Sequence, residues 1–258
     1  MRLKISALLI LAVFLVGTIS TSQSFQPAFA TSSNLADVCT SWLGGSYVGT
    51  TCTVSTSGGS IAVGNELVIP SGTTLVISNN ADNGISSFGT IANSGTITVA
   101  NSGSSSNGIF NGGILTNNLG ATIAVVNSGT NSFGITNEGT ITNSGTITVT
   151  NTGTDTTGID NLFGTINQEC SGTYSGNSPT GTSITDQCTV CPSPPSLGDW
   201  SITSDCAITG IVVAPNNIHV NAVLTIKNGG SLDVNFASKF LMVHSGSKII
   251  VKSGGEIF

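Results

Sequence analysis

Between residues 84 and 169 the apolar and polar positions of the chain recur in blocks. They begin at Gly84-Ile85, Gly108-Ile109, Gly134-Ile135 and Gly158-Ile159, at spacings of 24, 26 and 24 residues. The first block reads GISSFGTIANSGTITVANSGSSSN and the third GITNEGTITNSGTITVTNTGTDTT, apolar over apolar and polar over polar. The second carries two extra residues around Leu119-Gly120; the fourth gains one near Leu162-Phe163 and degenerates after Cys170. In this register Ile85, Ile109, Ile135 and Ile159 form one column, and Ile91, Leu115 and Ile141 a second. Ile97, Ile123 and Ile147 form a third, and Val99, Val125 and Val149 a fourth. Within a block, Thr96 to Val99 and Thr146 to Val149 alternate with period two. Ile and Val then point to one side and Thr to the other, the pattern of a short strand with one buried face.

Short strands broken by N-x-G turns, in blocks of about 24 residues, predict the coils of a parallel β-solenoid with roughly three faces per turn. Glycine would supply positive φ at the corners, where asparagine also tolerates it. The asparagines recur in three sets: Asn111, Asn137 and Asn161; Asn93, Asn117 and Asn143; Asn101, Asn127 and Asn151. Stacked from coil to coil, their amides would satisfy one another where water is excluded. About nine coils at a rise of about 4.8 Å would make a rod about 45 Å long.

The flanks carry looser versions of the same pattern. Leu67-Val68-Ile69-Pro70-Ser71-Gly72-Thr73-Thr74-Leu75 reads as strand, turn, strand, and so do the stretches that follow Leu224. The domain organisation that follows is a leader at 1–30, a disulfide-bearing N-terminal cap with the first coils at 31–83, and regular repeats at 84–169. A Cys/Pro-rich loop or linker then spans 170–199, where proline cannot donate to a ladder, and a second solenoid unit spans 200–258. That unit runs to Phe258 without a polar cap, so it is expected either to be truncated or to meet a like subunit end to end.

Residues 1–30 have the layout of a secretory signal: basic Arg2 and Lys4, an apolar stretch from Ile5 to Ile19, and Ala28-Phe29-Ala30 as an A-x-A cleavage site. The apolar stretch is shorter than the roughly 20 residues of a spanning helix, and no other stretch is long enough. A secreted or cell-surface product is expected, with no transmembrane segment in the mature chain. Six cysteines fit that route. Six allow fifteen pairings, but an internal duplication narrows them. Cys39, Trp42, Cys52, Ile61-Ala62-Val63 and Leu67-Val68-Ile69 recur as Cys191, Trp200, Cys206, Ile218-His219-Val220 and Leu224-Thr225-Ile226. Cys39 should therefore pair with Cys52 and Cys191 with Cys206, leaving Cys170 for Cys188. Cys188 and Cys191 form a C-x-x-C, but the second pair of a zinc ribbon and the βαβ context of a thioredoxin site are both absent.

The repeat G-I-x-N-x-G-T-I-x-N-x-G-T-I resembles the β-helical repeats of secreted adhesins of the filamentous-haemagglutinin kind and, more closely, repeat-rich secreted proteins of archaea. The end of the leader, Phe25-Gln26-Pro27-Ala28-Phe29-Ala30, is similar to an archaeal signal peptide. The resemblance covers residues 84 to 168 well and the flanks loosely. It implies a right-handed parallel β-helix and a surface or extracellular role, and no catalytic residue.

Composition agrees with an all-β chain and removes whole classes of function. Gly, Ser, Thr and Asn make up about half of the 258 residues, while charged residues are 7% and aromatics 5%. With four Glu, five Lys and one Arg, the chain lacks the residues from which long helices are made. Net charge is -6, and no Lys or Arg occurs between Lys4 and Lys227. Nucleic-acid binding needs clustered cations, and phosphoryl transfer needs a cationic clamp. There is no G-x-G, no Gly-Lys of a P-loop and no G-x-S-x-G. No cofactor and no metal site is expected, since His219 and His244 stand apart from each other and a third ligand would have to come from Asp205 or Asp233 at no recognisable spacing. Among acids, Asp155 and Asp160 are near in sequence but at different block positions, a weak constellation for a glycosidase. No asparagine lies in an N-x-Ser/Thr sequon.

The remaining feature is a set of outward threonines, Thr96, Thr98, Thr140, Thr142, Thr146 and Thr148, which read either as ordinary strand residues or as a flat hydroxylated binding face. The expectation is a secreted, non-enzymatic solenoid acting as a structural or adhesive surface module, with surface glycans or like subunits as partners. The alternatives are a glycan-binding module or polysaccharide-active enzyme and, behind it, an ice-binding protein.

Overall fold

The computed structural model describes residues 31–55, 59–79, 82–154 and 157–258; the leader and Asp155 lie outside them. The chain is all-β, and among the described residues the one helix is a single turn, Leu35–Val38. Alternating Ile/Val and Thr positions build a β-solenoid in which the chain visits three parallel sheets in rotation. The first face is built from Asn65–Ile69, Thr90–Asn93, Ile114–Asn117, Thr140–Asn143 and Thr165–Gln168. The second comprises Thr51–Val54, Thr74–Asn79, Thr96–Asn101, Thr122–Asn127, Thr146–Asn151 and Thr173–Gly176. Ile85–Ser87, Ile109–Asn111, Ile135–Asn137 and Ile159–Asn161 form the centre of the third.

The four apolar columns stand in the predicted register and extend beyond it. Ile85, Ile109, Ile135 and Ile159 pair in order. Leu67 continues the Ile91 column downward and Ile166 continues it upward. Leu75 and Ile77 lie beneath Ile97 and Val99. All of these side chains are buried. One coil thus buries about four aliphatic side chains, worth about 1.5–3 kcal/mol each. Ordering its two dozen residues costs about 1–2 kcal/mol apiece in backbone entropy, so a coil has no stability apart from its neighbours.

Asparagine supplies the polar part of that stacking. Asn93, Asn117, Asn143, Asn111, Asn137 and Asn161 are all fully buried. The Asn93 amide donates to Asn117 Oδ1 at 2.8 Å, Asn117 to Asn143 Oδ1 at 2.8 Å, and Asn143 to Gln168 Oε1 at 3.1 Å. Asn111 donates to Asn137 Oδ1, and Asn137 to Asn161 Oδ1, each at 2.7 Å. The third set departs from the expected stacking. Asn101, Asn127 and Asn151 donate instead to Asn107 O, Phe133 O and Thr157 O of their own coils, and accept from the N–H of Gly103, Gly129 and Gly153. The longer loop after the second face brings carbonyls within their reach, so these amides close loops, and Asn151 in addition donates to Ser132 O of the preceding coil at 2.8 Å.

The glycines of the N-x-G corners also differ from expectation. None of Gly95, Gly113, Gly139 and Gly145 has positive φ, which occurs instead in turns such as Ser71-Gly72, Leu119-Gly120 and Asn228-Gly229 and at the strand-end residues Gly176 and Gly181. What excludes a side chain at the regular corners is the coil beneath. A Cβ on Gly139 would lie 2.0 Å from Gly113 O, and one on Gly145 would lie 2.4 Å from Ala121 O.

The N-terminal end of the solenoid is covered by the Leu35–Val38 turn, capped by Asn34 Oδ1 accepting from Asp37 N at 3.1 Å. Its buried Leu35 and Val38, together with Leu43, join the core of the first coil. Cys39–Cys52 fastens this cap to the second face, and Cys170–Cys188 and Cys191–Cys206 complete the expected pairing.

Two expectations are corrected. The stretch read as a loop or linker at 170–199 is in its first half another coil: Thr173–Gly176, Thr180–Gly181 and Thr185–Asp186 pair in parallel with the coil before them. Thr173 and Tyr174 stack on Thr146 and Ile147 even though the sequence repeat has lapsed. Pro192, Pro194 and Pro195 fall in the true connection, which holds one isolated bridge, Val190 to Ala207. The second unit then has three sheets of three strands each around its own core of Trp200, Ile202, Ile208, Ile218, Val220, Leu224 and Ile226. The internal duplication is shifted by one strand from its sequence alignment. Cys206 stacks under Leu224, whereas Cys52 stacks under Leu75 rather than Leu67. Three short apolar strands look alike when only their residues are compared, and the shorter coil of the second unit, 18 residues from Cys206 to Leu224, conceals the offset.

Because Asn117 both donates and accepts within a buried ladder, Asn117→Ala should lower stability by about 1–3 kcal/mol, measured by urea unfolding. Half-buried, outward-facing Thr98→Ala should change it by less than about 1 kcal/mol.

Candidate functional site

The second face gathers threonine beyond what the repeat predicts. Thr51, Thr74, Thr96, Thr122, Thr146 and Thr173 are successive cross-strand partners and form one unbroken column. Beside it runs Thr53, Val76, Thr98, Ala124, Thr148 and Ser175. Hydroxyls touch along the columns, Thr173 Oγ1 to Thr146 Oγ1 at 3.1 Å and Thr148 Oγ1 to Ser175 Oγ at 3.0 Å. These strands carry no Asp, Glu, Lys or Arg. At one margin lies a shallow depression of about 350 Å³ lined by Ser78, Asn79, Ala100, Asn101, Val126 and Ser128.

The predicted threonine set therefore divides. Thr96, Thr98, Thr146 and Thr148 share this face. Thr140 and Thr142 lie on the first face, in columns with Glu66, Thr90, Ile114 and Thr165, and with Val68, Ala92, Thr116 and Asn167. The threonines that the sequence reading missed, Thr51, Thr74, Thr122 and Thr173, each open the strand of this face in their coil. Thr-Leu-Val-Ile at 74–77 and Thr-Ile-Ala-Val at 122–125 carried that signal.

Asp160 projects from the third face, with its carboxylate 3.5 Å from the Thr180 hydroxyl. Two strands away on the same sheet, Phe110 makes a tilted ring pair with Phe88, their centroids 5.4 Å apart.

A second concavity, of about 450 Å³, lies where the last coil of the first unit meets the second unit, lined by Glu169, Tyr174, Ile184, Asp186, Lys227 and Lys252 among others. Residues remote in sequence converge there, so nothing in the linear pattern announced it. Its cations are engaged with protein. Lys227 Nζ pairs with the Asp186 carboxylate, while Lys252 Nζ donates to Ser171 O at 2.9 Å and Gly172 O at 3.2 Å. Burial raises the Asp186 carboxyl, but the hydrogen bond from Lys227, the Cys188 N–H and the Lys227 charge outweigh it and leave the group below its ordinary value. Burial, and then the nearby Lys227 charge, lowers the Lys252 ammonium. Burial pushes the Tyr174 phenol up to about 12. The Lys227–Asp186 pair and the Lys252 hydrogen bonds tie the last coil of the first unit to the second unit.

The two histidines, expected to stand apart, are brought together by the coil. His219 and His244 are 25 residues apart, and His219 Nδ1 lies 3.1 Å from His244 Nε2. Asp199, not Asp205 or Asp233, is the acid beside them: its Oδ2 is 3.3 Å from His219 Nε2. Asp205 instead accepts from Val223 N at 2.9 Å. Among the described residues no group of three or more His, Cys, Asp or Glu is arranged to hold a metal ion, and no helix is long and apolar enough to cross a membrane. Compared with protein-family models, with curated proteins and with solved structures, the chain matches none.

A phenol whose folded pKa is raised keeps its proton longer in the folded state than in the unfolded one. Tyr174 therefore contributes stability below pH about 10 that is lost as pH rises toward about 12. In a Tyr47→Phe variant, ultraviolet titration of the remaining phenol should give a midpoint near 12 when folded, falling to about 10 in denaturant.

Proposed function

We propose that the protein is a secreted, non-enzymatic β-solenoid that serves at the cell surface as a structural or adhesive module, with the second face as its adhesive surface. The observation that carries this reading is the unbroken threonine column from Thr51 to Thr173. Parallel strands repeat every 4.7–4.9 Å or so, so the column offers hydroxyls and methyls at a fixed period on a flat sheet. Threonine is stiff at χ1, and little side-chain entropy is lost when such a face is covered. A regular, uncharged array of this kind suits a polymer that itself presents hydroxyls at intervals, a neutral glycan, whose weak contacts add along the chain. Three disulfides and the layout of residues 1–30 support export.

A second reading is supported by the T-x-T pairs that recur on alternate coils, Thr51/Thr53, Thr96/Thr98 and Thr146/Thr148, since a two-column hydroxyl lattice also suits ice. Val76 and Ala124 interrupt the second column, which favours a ligand that tracks a single column.

The test is co-sedimentation with insoluble neutral polysaccharides. The wild-type chain should pellet with at least one of them, and a Thr96→Lys/Thr146→Lys double variant should bind about tenfold more weakly or worse with an unchanged unfolding midpoint. The matching pair on the first face, Thr140→Lys/Thr142→Lys, should bind as wild type. Thermal hysteresis without glycan binding would replace this reading with the ice-binding one. Turnover of a polysaccharide that is lost in Asp160→Ala would replace it with an enzyme.

A further inference from the structure

The second unit carries a juxtaposition that the adhesive reading does not use. On the sheet built from Trp200–Ile202, Ile218–Val220 and Leu241–Val243, His219 in the middle strand and His244, the residue that follows the last one, turn ring nitrogens toward each other, His219 Nδ1 and His244 Nε2 at 3.1 Å. The other nitrogen of His219 is the one committed elsewhere: Nε2 faces Asp199 Oδ2 at 3.3 Å. A carboxylate at that position takes the N–H and leaves the lone pair on Nδ1, aimed into the gap. Asp199 is itself fixed, because Asn217 Nδ2 donates to its Oδ1 at 3.0 Å while Asn217 Oδ1 accepts from Phe240 N at 3.2 Å. The edge of the Phe240 ring packs against His219 with centroids 5.5 Å apart. The imidazole is thus held by Asp199 and Phe240 on sides other than the one facing His244.

We propose that His219 Nδ1 and His244 Nε2 bind a copper ion. Two nitrogens on one ion at about 2.0–2.1 Å sit about 2.9–3.5 Å apart for ligand angles between about 90° and 120°, which brackets the observed separation. The carboxylate behind His219 is the outer-shell partner that metal-bound histidines require. Without the ion, His244 Nε2–H donates to His219 Nδ1; on binding, His244 changes tautomer, its proton passing to Nδ1 of the same neutral ring, and Nε2 is freed for the ion. The third donor is Met242. It is the cross-strand partner of His219 and lies two residues before His244, so strand alternation sets it on the same face, where it is partly exposed. Two imidazoles beside a thioether, with no carboxylate turned into the gap, suit copper, which also heads the affinity order of divalent ions. Calcium and magnesium need oxygen donors that are absent here, and structural zinc needs a fourth protein ligand.

The experiment is calorimetric titration of the disulfide-bonded protein with Cu²⁺, Zn²⁺ and Ca²⁺ separately, with electron paramagnetic resonance of the Cu²⁺ form. One Cu²⁺ should bind more tightly than Zn²⁺, with two nitrogen donors in the spectrum and no Ca²⁺ binding. His219→Gln and His244→Gln should each abolish the site. Asp199→Asn should weaken it about tenfold or more while the far-ultraviolet spectrum and unfolding midpoint stay as in wild type. Met242→Leu should reduce affinity for Cu⁺ more than for Cu²⁺. Tighter binding of Zn²⁺ than Cu²⁺, Cu²⁺ binding unchanged in the two histidine variants, or no binding at all would each overturn the assignment. Because Thr96→Lys/Thr146→Lys leaves these residues untouched, it should bind copper as wild type does, which separates this site from the glycan face.

Discussion

The constraint on which everything else depends is that no coil can stand alone. Each contributes a few aliphatic side chains to a narrow core, and both edges of each of its strands need a partner. Stability therefore comes from registry, the placing of like over like at a spacing of about 4.8 Å. The buried asparagine ladders enforce this strictly. The Asn117 amide accepts from Asn93 below it and donates to Asn143 above it and to Thr146 O, and a slip by one residue would break the side-chain ladder in a dry core. Hydrophobic columns tolerate substitution, as Leu115 between Ile91 and Ile141 illustrates, whereas the amide ladder tolerates only a residue with both a donor and an acceptor. Gln168 at its upper end meets that requirement.

The same registry that stabilises the interior makes the exterior periodic. A threonine selected for strand geometry in one coil is placed over the threonine of the next, and a face with chemistry of its own results. The contrast between faces is informative. The second face keeps a single residue type through six coils, from Thr51 to Thr173, while the first mixes Glu66, Thr90, Ile114 and Thr140 in the equivalent column. Strand propensity acts on both faces alike and so does not account for the difference.

Periodic features were legible in the sequence and those made by contacts across coils were not. The four apolar columns and the block length follow from spacing, because a repeat that stacks has to repeat in register; the disulfide pairing follows from the duplicated order of Cys, Trp and Cys, which holds although its strands are offset by one. The corner glycines were identified correctly as corners but for the wrong reason. Local chain geometry suggests positive φ, whereas Gly139 is required because Gly113 O lies where its side chain would be, a contact between residues 26 positions apart. Asn101, Asn127 and Asn151 look the same as the other asparagines in a linear pattern, and only the length of the following loop separates loop closure from laddering. The coil made by residues 173–186 had lost its repeat signature and kept only its stacking.

His219 and His244 are the sharpest case. As single residues in a chain of low charge they suggest nothing, and neither sits in a metal-ligand spacing of the kind found on one helix or one loop. A solenoid has a different proximity rule: residues one coil apart are neighbours, and the relevant spacing in the second unit is the coil length, 23 residues from His219 to Met242 and 25 from Leu224 to Ile249. His219 faces Met242 across the strand separation of about 4.8 Å, and His244, two residues further on, reaches back so that the ring nitrogens stand 3.1 Å apart. In this fold a site is therefore assembled across coils, by columns, and the residues to compare are those a coil apart rather than those within one turn or loop.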